Sequence, residues 1–326
     1  MKIGEYKLLG ELKNDDSGFA KWGFATKNKT EYFIKEFLTP VYPPDDSPID
    51  FSQIQRKRAV CSDFEKRKRA LYNRLNECDT GNIVVIKDFF RHGSKYYIVT
   101  DKIDSDKMDV SSISSSLTSY EKSVLIKVLA FNLSQLHAKG IVHGDIKPNN
   151  VIIKKTKFAY TTKLIDFDSS FLESSPPSFN ELQGDMVYFA PEAFLLIANE
   201  EGTINSKVDV FALGLLFHQY YTGNLPHFDT EKYTYAFEAV LDEGEIAIDE
   251  SIPENIAEQI AAMLNKDPEM RPTLNQVFAK LSQPEHVAEK PEPEVPKSPI
   301  EPAKTYKDSS TSKTSFFKRA DSDDLL

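Results

Sequence analysis

Cysteine is scarce in this chain, and long apolar runs are missing. Two cysteines among 326 residues, Cys61 and Cys78, are too few for a disulfide framework and too sparse for a zinc site. No run of about 18 apolar residues is present, and the first residues lack an apolar stretch that ends at a cleavage site. We therefore expect a protein without membrane contact, in a reducing, cytoplasmic setting.

Positive charge is also in short supply. The chain has 40 Lys and Arg against 50 Asp and Glu, a formal net charge of −10. Because phosphate contacts dominate the affinity for nucleic acids, an acidic chain is a poor candidate for that class, and we expect no nucleic-acid partner. The basic run RKRAVCSDFEKRKR, residues 56–69, is better explained as the solvated face of a helix.

The first hundred residues predict short strands around one long helix. Five β-leaning runs are separated by Asn, Asp and Gly: EYKLLGEL, KWGFATK, EYFIKEFL, NIVVIKDFFRHG and KYYIVTDKI. Between the third and fourth runs, Phe64, Leu71 and Leu75 stand near helical spacing. Helical patterns dominate from residue 118 onward, where Thr118 and Glu121 form a capping-box pattern. The order predicts an α+β protein with two lobes.

The predicted lobe boundaries follow from this change of pattern. Residues 1–103 form the smaller, strand-rich lobe, and residues 104–283 form the larger, mainly helical one. From residue 284, prolines alternate with Glu and Lys, and a Ser, Thr and Lys stretch leads to SFFKRADSDDLL. This composition cannot bury enough apolar surface to order itself, so residues 284–326 are predicted to be a disordered tail. Partner docking and passive solubilisation are both open as its role.

Charged and amide side chains are concentrated between two apolar runs in IVHGDIKPNNVII, residues 141–153. Buried polar groups are costly without partners, so these residues either satisfy one another or hold a ligand. Asn150 here and Asp166 in KLIDFDSS offer the oxygen ligands that Mg²⁺ prefers. Phosphoryl transfer from ATP needs those groups, a carboxylate such as Asp145 near the attacking hydroxyl, and a lysine near the phosphates.

These residues resemble motifs of the protein kinase family, and the resemblance extends over about residues 6–283. HGDIKPNN looks like the family's catalytic loop, DFD like its metal-binding motif, and APE like the end of its activation segment. The resemblance implies a bilobal kinase fold, with a small β-rich lobe that has one main helix and a larger helical lobe. It also implies ATP and Mg²⁺ as cofactors and a protein Ser or Thr hydroxyl as the substrate.

The resemblance gives four residues a role in the reaction. Asp145 would orient the substrate hydroxyl and accept its proton, and Lys147 would stabilise the phosphoryl group in transfer. Asn150 and Asp166 would hold Mg²⁺. Lys147 is typical of serine/threonine kinases, whereas tyrosine kinases differ at this position. His143 would brace the loop without a catalytic role.

A nucleotide site is implied as well. Lys35 in YFIKEF matches the strand lysine that contacts the α- and β-phosphates. In YYIVTDKI, Thr100 would be the gatekeeper residue, and Asp101 and Ile103 would offer backbone groups to adenine.

The loop that covers the phosphates departs from the family pattern. The loop contains Gly10 and Gly18, has Ala20 where a third glycine is common, and is longer than the loop of the family pattern. Its backbone amides would still bind phosphate oxygens. Glu65, on the long basic helix, is the candidate for the glutamate that pairs with Lys35.

Two further matches lie downstream. Asp209, in KVDVFALGLLFHQYYTGNLPH, corresponds to the aspartate that braces the catalytic loop. Arg271, in MRPT, corresponds to the arginine that pairs with Glu192 of the APE motif.

Three departures bear on activity. Gly144 replaces the arginine that normally binds a phosphate on the activation loop, so we expect little dependence on such phosphorylation despite the nearby serines. Asp168 replaces the glycine of the metal-binding motif. Asp185 stands where a threonine normally touches the catalytic loop, so it would pair with Lys147 but repel Asp145.

Two other functions compete with a protein kinase. Small-molecule phosphotransferases of the aminoglycoside and choline type also have HGD followed by Asn, but they lack the APE segment and its arginine partner. A pseudokinase scaffold that binds ATP without turnover is favoured by the weak glycine loop and by Asp185. The presence of Lys35, Asp145, Asn150 and Asp166 argues against that scaffold.

Overall fold

The computed structural model of this protein describes residues 1–14, 20–78, 81–103, 108–157, 160–199 and 202–283. The predicted loop residue Gly18 and the predicted tail, residues 284–326, lie outside these ranges. Within the described ranges, none of the helices combines the length and the apolar character that a membrane crossing requires.

The first part of the fold is an antiparallel sheet, in which six strands of the described chain follow the order β1-β2-β3-β4-β6-β5. Their bounds are β1 Lys2–Ile3, β2 Tyr6–Leu8, β3 Ala20–Lys27, β4 Thr30–Phe37, β5 Ile86–His92 and β6 Lys95–Asp101. These strands confirm the β-leaning runs of the sequence. Ile34 and Val99 are paired in the register and fully buried on one face of the sheet, so Lys35 points to the other face.

One long helix, α1 (Phe51–Asn76), packs against this sheet. Its N-terminus is capped by Asp50, whose carboxylate accepts hydrogen bonds from the backbone N–H groups of Ser52 and Gln53 at 2.8 and 3.1 Å. Leu71 and Leu75 are buried as their spacing predicts. Phe64 is partly buried, and its ring lies 5.2 Å from that of Tyr96 in the sheet.

The second part is mainly helical, as predicted. Its helices in the described ranges are α2 Val110–Ser116, α3 Ser119–Ala138, α4 Pro191–Asn199, α5 Lys207–Thr222, α6 Ala236–Leu241, α7 Glu254–Met263 and α8 Leu274–Leu281. Helix α3 begins with the predicted capping box, in which Thr118 and Glu121 satisfy each other's backbone N–H groups. Helix α5 is almost completely buried, which makes it the centre of this part.

A hairpin between the helices was not predicted, and it brings two of the predicted site residues close together. Strands β8 (Val151–Lys155) and β9 (Tyr160–Leu164) are antiparallel, with Val151 opposite Leu164. This register brings the residue before β8, Asn150, close to the residues that follow β9. The backbone N–H of Ile165 donates to the Asn150 carbonyl at 3.0 Å, directly before Asp166. Two further short strands, β7 (Ile141–Val142) and β10 (Phe171–Leu172), pair on the other side of the same loop.

The predicted pair of Arg271 and Glu192 is confirmed, with Arg271 fully buried and Glu192 partly buried. The two guanidinium nitrogens of Arg271 donate to the two carboxylate oxygens of Glu192 at 2.7 and 2.8 Å. The same side chain donates to the carbonyl of Asn265 at 2.7 Å and to that of Lys207 at 3.0 Å. Its side chain has no exposed surface, so every charge-bearing atom depends on these partners.

We predict that Arg271→Met destabilises the fold by about 3 kcal/mol, because it leaves the partly buried Glu192 carboxylate and the carbonyls of Asn265 and Lys207 without this partner. The matched control is Arg69→Met, which breaks an exposed pair with Glu65 and should cost about 0 to 1 kcal/mol. Urea unfolding followed by circular dichroism measures both. Equal effects of the two substitutions would contradict the structural role assigned to Arg271.

Candidate active site

Asp209, at the start of α5, fixes the backbone of the loop that carries Asp145 and Asn150. Its two carboxylate oxygens accept hydrogen bonds from the backbone N–H groups of His143 and Gly144, each at 2.8 Å, and the ring of His137 lies 2.9 Å away. Burial alone would raise the pKa of Asp209, but the bond to His137 and the Gly144 N–H hold it below its ordinary value. The predicted bracing by Asp209 is thereby confirmed.

Asp145 is held from three directions. Asn150 donates from its amide nitrogen to the Asp145 carboxylate at 2.9 Å, and Lys147 lies 2.9 Å from the same oxygen. The other oxygen accepts the backbone N–H of Asp185 at 3.0 Å. The carboxylate is therefore oriented by its neighbours before any ligand arrives.

Asp185 contributes through its backbone more than through its charge. Its carboxylate lies 3.9 Å from the Lys147 amine, so the predicted attraction is present but long. The same carboxylate caps a short turn by accepting the N–H of Val187 at 3.1 Å. The predicted repulsion between Asp185 and Asp145 is offset by the N–H bond to Asp145.

Lys35 crosses from the sheet to the second part of the fold. Its amine lies 2.7 Å from a carboxylate oxygen of Asp166 and 2.8 Å from one of Asp168. Burial opposes a charge on Lys35, yet the two carboxylates raise its pKa above the ordinary value, so it stays protonated. Asp166 adopts a left-handed backbone conformation, with φ of 65°, which the surrounding contacts hold in place.

The predicted pairing of Glu65 with Lys35 is wrong. Glu65 instead binds Arg69, one turn further along α1, at 2.8 and 3.0 Å. The burial of Leu71 and Leu75 sets the rotation of the helix about its axis. This rotation directs Lys68 toward Asp168. The amine of Lys68 donates to the backbone carbonyl of Asp168, and burial lowers its pKa to about 8.

The remaining nucleotide candidates, Thr100, Asp101 and Ile103, lie at the end of β6 or just after it. Thr100 lies opposite Phe33 in the register of β4 and β6, and Phe33 is two residues from Lys35, so the three side chains share one face. Asp101 ends β6 and binds Lys87 at 2.9 Å, and Ile103 follows it, packed against the core.

Gly10 lies just beyond β2, with no atom within 4 Å of the position that a Cβ would take. Two aromatic residues of β3 that the sequence analysis missed lie on the same face as Lys35. Trp22 is opposite Lys35 and Phe24 is opposite Phe33, and the rings of Trp22 and Phe33 stack at 5.8 Å. Such rings present a flat apolar surface for a planar group.

The donor set suits a hard cation that brings further ligands with it. Because the Asn150 amide nitrogen donates to Asp145, its oxygen is the atom that a cation would use, together with the carboxylate of Asp166. In the described ranges, no group of three His, Cys, Asp or Glu could hold a metal ion alone. Mg²⁺ bound through one or two protein groups plus phosphate oxygens fits this set.

A cleft of about 670 Å³ separates part of α1 from the segment that follows Asp168. Arg67 spans it and binds both carboxylate oxygens of Glu181, one of them at 3.0 Å. Glu181 also accepts hydrogen bonds from the backbone N–H and the hydroxyl of Ser178. Arg67 holds the pKa of Glu181 down to about 2, against the effect of burial.

The charged residues that sequence reasoning missed act across long separations in the chain. Arg67 and Lys68 belong to a basic run that indicates only a charged surface, Glu181 has no local signal, and Asp168 was noted as a departure without a partner. Lys68 lies three residues before Leu71 and seven before Leu75, so the three residues share one face of the helix. The burial of these two leucines would therefore have indicated Lys68.

Known proteins resemble this chain in the same region. Residues 55–281 match the family model for the protein kinase domain, so the strands that carry Lys35 lie before the match. "Serine/threonine-protein kinase PSK2" of Saccharomyces cerevisiae is 29% identical over 211 residues, which cover 63% of this chain and 18% of the yeast protein.

Two other relatives cover more of the chain. "Protein kinase kin1" of Schizosaccharomyces pombe is 25% identical over 282 residues, which cover 85% of this chain and 30% of that protein. A probable myosin light chain kinase of Dictyostelium discoideum is 26% identical over 242 residues, which cover 74% of this chain and 70% of the relative. The chain spans less than a third of the length of both yeast proteins.

The low pKa of Glu181 predicts a pH-dependent contribution to stability. A carboxylate whose pKa is lowered by folding stabilises the fold above its unfolded pKa, here about 4.5, and loses that effect as the pH falls toward 2. We expect the wild-type protein to melt at a higher temperature than Glu181→Gln at pH 7, with the difference shrinking steadily below pH 4.5. Thermal unfolding at pH 7 to 3 measures it, with Glu250→Gln as the exposed control. A difference that is independent of pH would contradict the ion pair.

Proposed function

The chain belongs to the protein kinase family, and from this premise we propose that it transfers the γ-phosphoryl group of ATP to a Ser or Thr hydroxyl of a protein. The observation that carries the proposal is the meeting of Lys35 with Asp166 at 2.7 Å, beside the catalytic-loop residues Asp145 and Asn150. These residues are far apart in the sequence, and phosphoryl transfer needs them in one place.

Asp145 is the proposed group that orients the substrate hydroxyl and accepts its proton. Its carboxylate is fixed by Asn150, Lys147 and the Asp185 N–H, so little reorganisation is required when the substrate binds. Lys147 lies beside it with a positive charge, which supports its proposed role in stabilising the transferring phosphoryl group.

Lys35 is the proposed contact for the α- and β-phosphates. Asn150 and Asp166 would hold Mg²⁺, which supplies positive charge against the phosphate oxygens. Thr100, with the backbone of Asp101 and Ile103, is proposed to border the adenine.

The phosphates would lie under the loop that contains Gly10 and Gly18. The open space around Gly10 supports close approach of the backbone to a ligand, and Gly18 lies outside the described residues.

A protein substrate is favoured over a small molecule by the region after the catalytic loop. The buried pair of Arg271 and Glu192 anchors the APE segment to the helical part. Aminoglycoside-type phosphotransferases lack this pair, which supports a surface for a peptide. The two yeast relatives are named protein kinases, which supports the class, and the chain spans only a part of each.

We also propose that the activity depends little on phosphorylation of the activation loop. Gly144 has a φ of +78°, and a Cβ at this position would lie 2.7 Å from the carbonyl oxygen of Ser169, so an arginine does not fit the backbone as it stands. Arg67 and Glu181 link α1 to the segment after Asp168, and a carboxylate there supplies the negative charge that a phosphate would otherwise bring.

Two expectations about the wider context rest on sequence alone. The tail over residues 284–326 lies outside the described residues, and its docking to a partner is a proposal. A cytoplasmic location is likewise a proposal, drawn from the scarcity of cysteine.

Asp145→Asn should lower kcat for phosphoryl transfer to a general protein substrate by about 10²- to 10⁴-fold, since it removes the proton acceptor. It should leave the affinity for Mg²⁺-ATP within about threefold, because Asp145 contacts the hydroxyl rather than the nucleotide. A radiolabelled ATP assay and binding of a fluorescent ATP analogue measure the two quantities. The proposal fails if the wild-type protein binds ATP but transfers no label, which is the behaviour of a pseudokinase, or if both proteins label equally.

Phosphatase-treated protein should keep its initial rate of substrate phosphorylation within about twofold, since Glu181 supplies the charge without modification. Glu181→Gln should lower that rate several-fold in treated and untreated samples alike, because the link to Arg67 is weakened. Mass spectrometry verifies the removal of phosphate. A loss of more than tenfold on phosphatase treatment would refute independence from phosphorylation.

A further inference from the structure

Lys35 needs a fixed anion if its amine is to face a nucleotide. A lysine side chain has four rotatable bonds, and its aim is set by the partners of its charge. Glu65, the residue predicted for this purpose, is held by Arg69 on the outer side of α1. The described contacts of the Lys35 amine are the carboxylates of Asp166 and Asp168.

Asp166 cannot serve as the constant partner within the proposed function. A carboxylate that ligates Mg²⁺ directs its charge to the cation, which competes with Lys35 for the same oxygens. Asp168 is two residues further and has no such task. Its carboxylate oxygen lies 2.8 Å from the Lys35 amine, and 18% of its side chain is exposed.

We propose that Asp168 is the positioning residue for Lys35, in the place of a glutamate from α1. The inference rests on the proposed function, because it assigns Asp168 the task of directing Lys35 toward the phosphates. Asp168 does not touch the reacting atoms and acts through Lys35 alone.

The backbone around Asp168 is held firmly enough for this task. Phe167 is buried and its ring lies 4.8 Å from that of His143. The hydroxyl of Ser170 donates to the His143 carbonyl at 2.7 Å, and the amine of Lys68 donates to the Asp168 carbonyl. Contacts therefore fix the residue before Asp168, the residue two after it and its own carbonyl group.

Lys68 is the residue of α1 that lies beside Asp168. A helix glutamate facing Lys35 would add a third carboxylate beside Asp166 and Asp168, with a cost in repulsion. The helix instead presents Lys68 at this face, where its amine donates to the backbone carbonyl of Asp168. In this structure the second acidic partner of Lys35 therefore lies in the DFD motif, and α1 contributes a basic residue beside it.

The test compares Asp168→Asn with Glu65→Gln, which remove one negative charge each with little change in shape. Asp168→Asn should lower kcat/KM for Mg²⁺-ATP by about 10- to 100-fold, the usual effect of removing a partner that orients a functional group. Glu65→Gln should change it by less than twofold. The inference is overturned if Glu65→Gln causes the larger loss, or if neither does.

A double-mutant cycle separates positioning from a general structural effect. In a Lys35→Met background, Asp168→Asn should have no further effect on the affinity for a fluorescent ATP analogue, because the side chain it acts through is gone. A full, additive loss in that background would show that Asp168 supports the fold instead. Thermal unfolding of each variant identifies any that are not folded.

A structural readout keeps this inference separate from the proposed function. A crystal structure of the wild-type protein should have the Lys35 amine within hydrogen-bond distance of the Asp168 carboxylate, with or without Mg²⁺-ATP. Contact of Lys35 with Glu65 in such a crystal would overturn the inference even if the enzyme is active. Absence of phosphoryl transfer, with the Lys35 and Asp168 contact intact, would instead overturn the proposed function.

Discussion

The contact between Lys35 and the two carboxylates of Asp166 and Asp168 is the interaction on which the site depends. It joins a strand of the sheet to the segment after the β8–β9 hairpin, across 131 and 133 positions of sequence. Removing these charges from water is expensive, and the mutual attraction repays that cost only when the geometry is good. Both amine contacts are shorter than 3 Å. The ion cluster therefore sets how the two parts of the site meet.

Backbone groups do much of the positioning around this cluster. Asp209 binds two successive N–H groups of the catalytic loop, and the hairpin register brings Asn150 next to the strand that leads to Asp166. These hydrogen bonds act on the main chain, so they fix the loop without using the side chains that are proposed to carry out the reaction. The side chain of Asp145 is then oriented by short-range contacts with Asn150 and Lys147. Preorganisation of this kind lowers the cost of reaching a reactive arrangement.

Sequence reasoning identified the elements whose signals are local. The capping box at Thr118 and the motif around Asp145 each occupy a few neighbouring residues, and their residue types dictate their form. The β8–β9 hairpin was missed because its short apolar run, Val151 to Ile153, has the same appearance as a buried turn of helix.

The partner of Lys35 was missed for a different reason. Which residue of a 26-residue helix faces a given point depends on its rotation, and that rotation is decided by packing against the sheet. Arg67 and Glu181 come together from segments 114 positions apart, so no local pattern predicts their contact. The sequence thus predicts the motifs well and their mutual orientation poorly.

The crowding at Gly144 limits the routes by which this protein could gain a different mode of control. An arginine introduced there alone would meet the Ser169 carbonyl oxygen before its guanidinium could reach any phosphate. The backbone would have to move first, and Asp209 holds the Gly144 N–H against such a movement. A single codon change is therefore not enough, and at least one compensating substitution elsewhere must accompany it. The glycine therefore makes an arginine at this position, and any control that depends on it, hard to gain in small evolutionary steps.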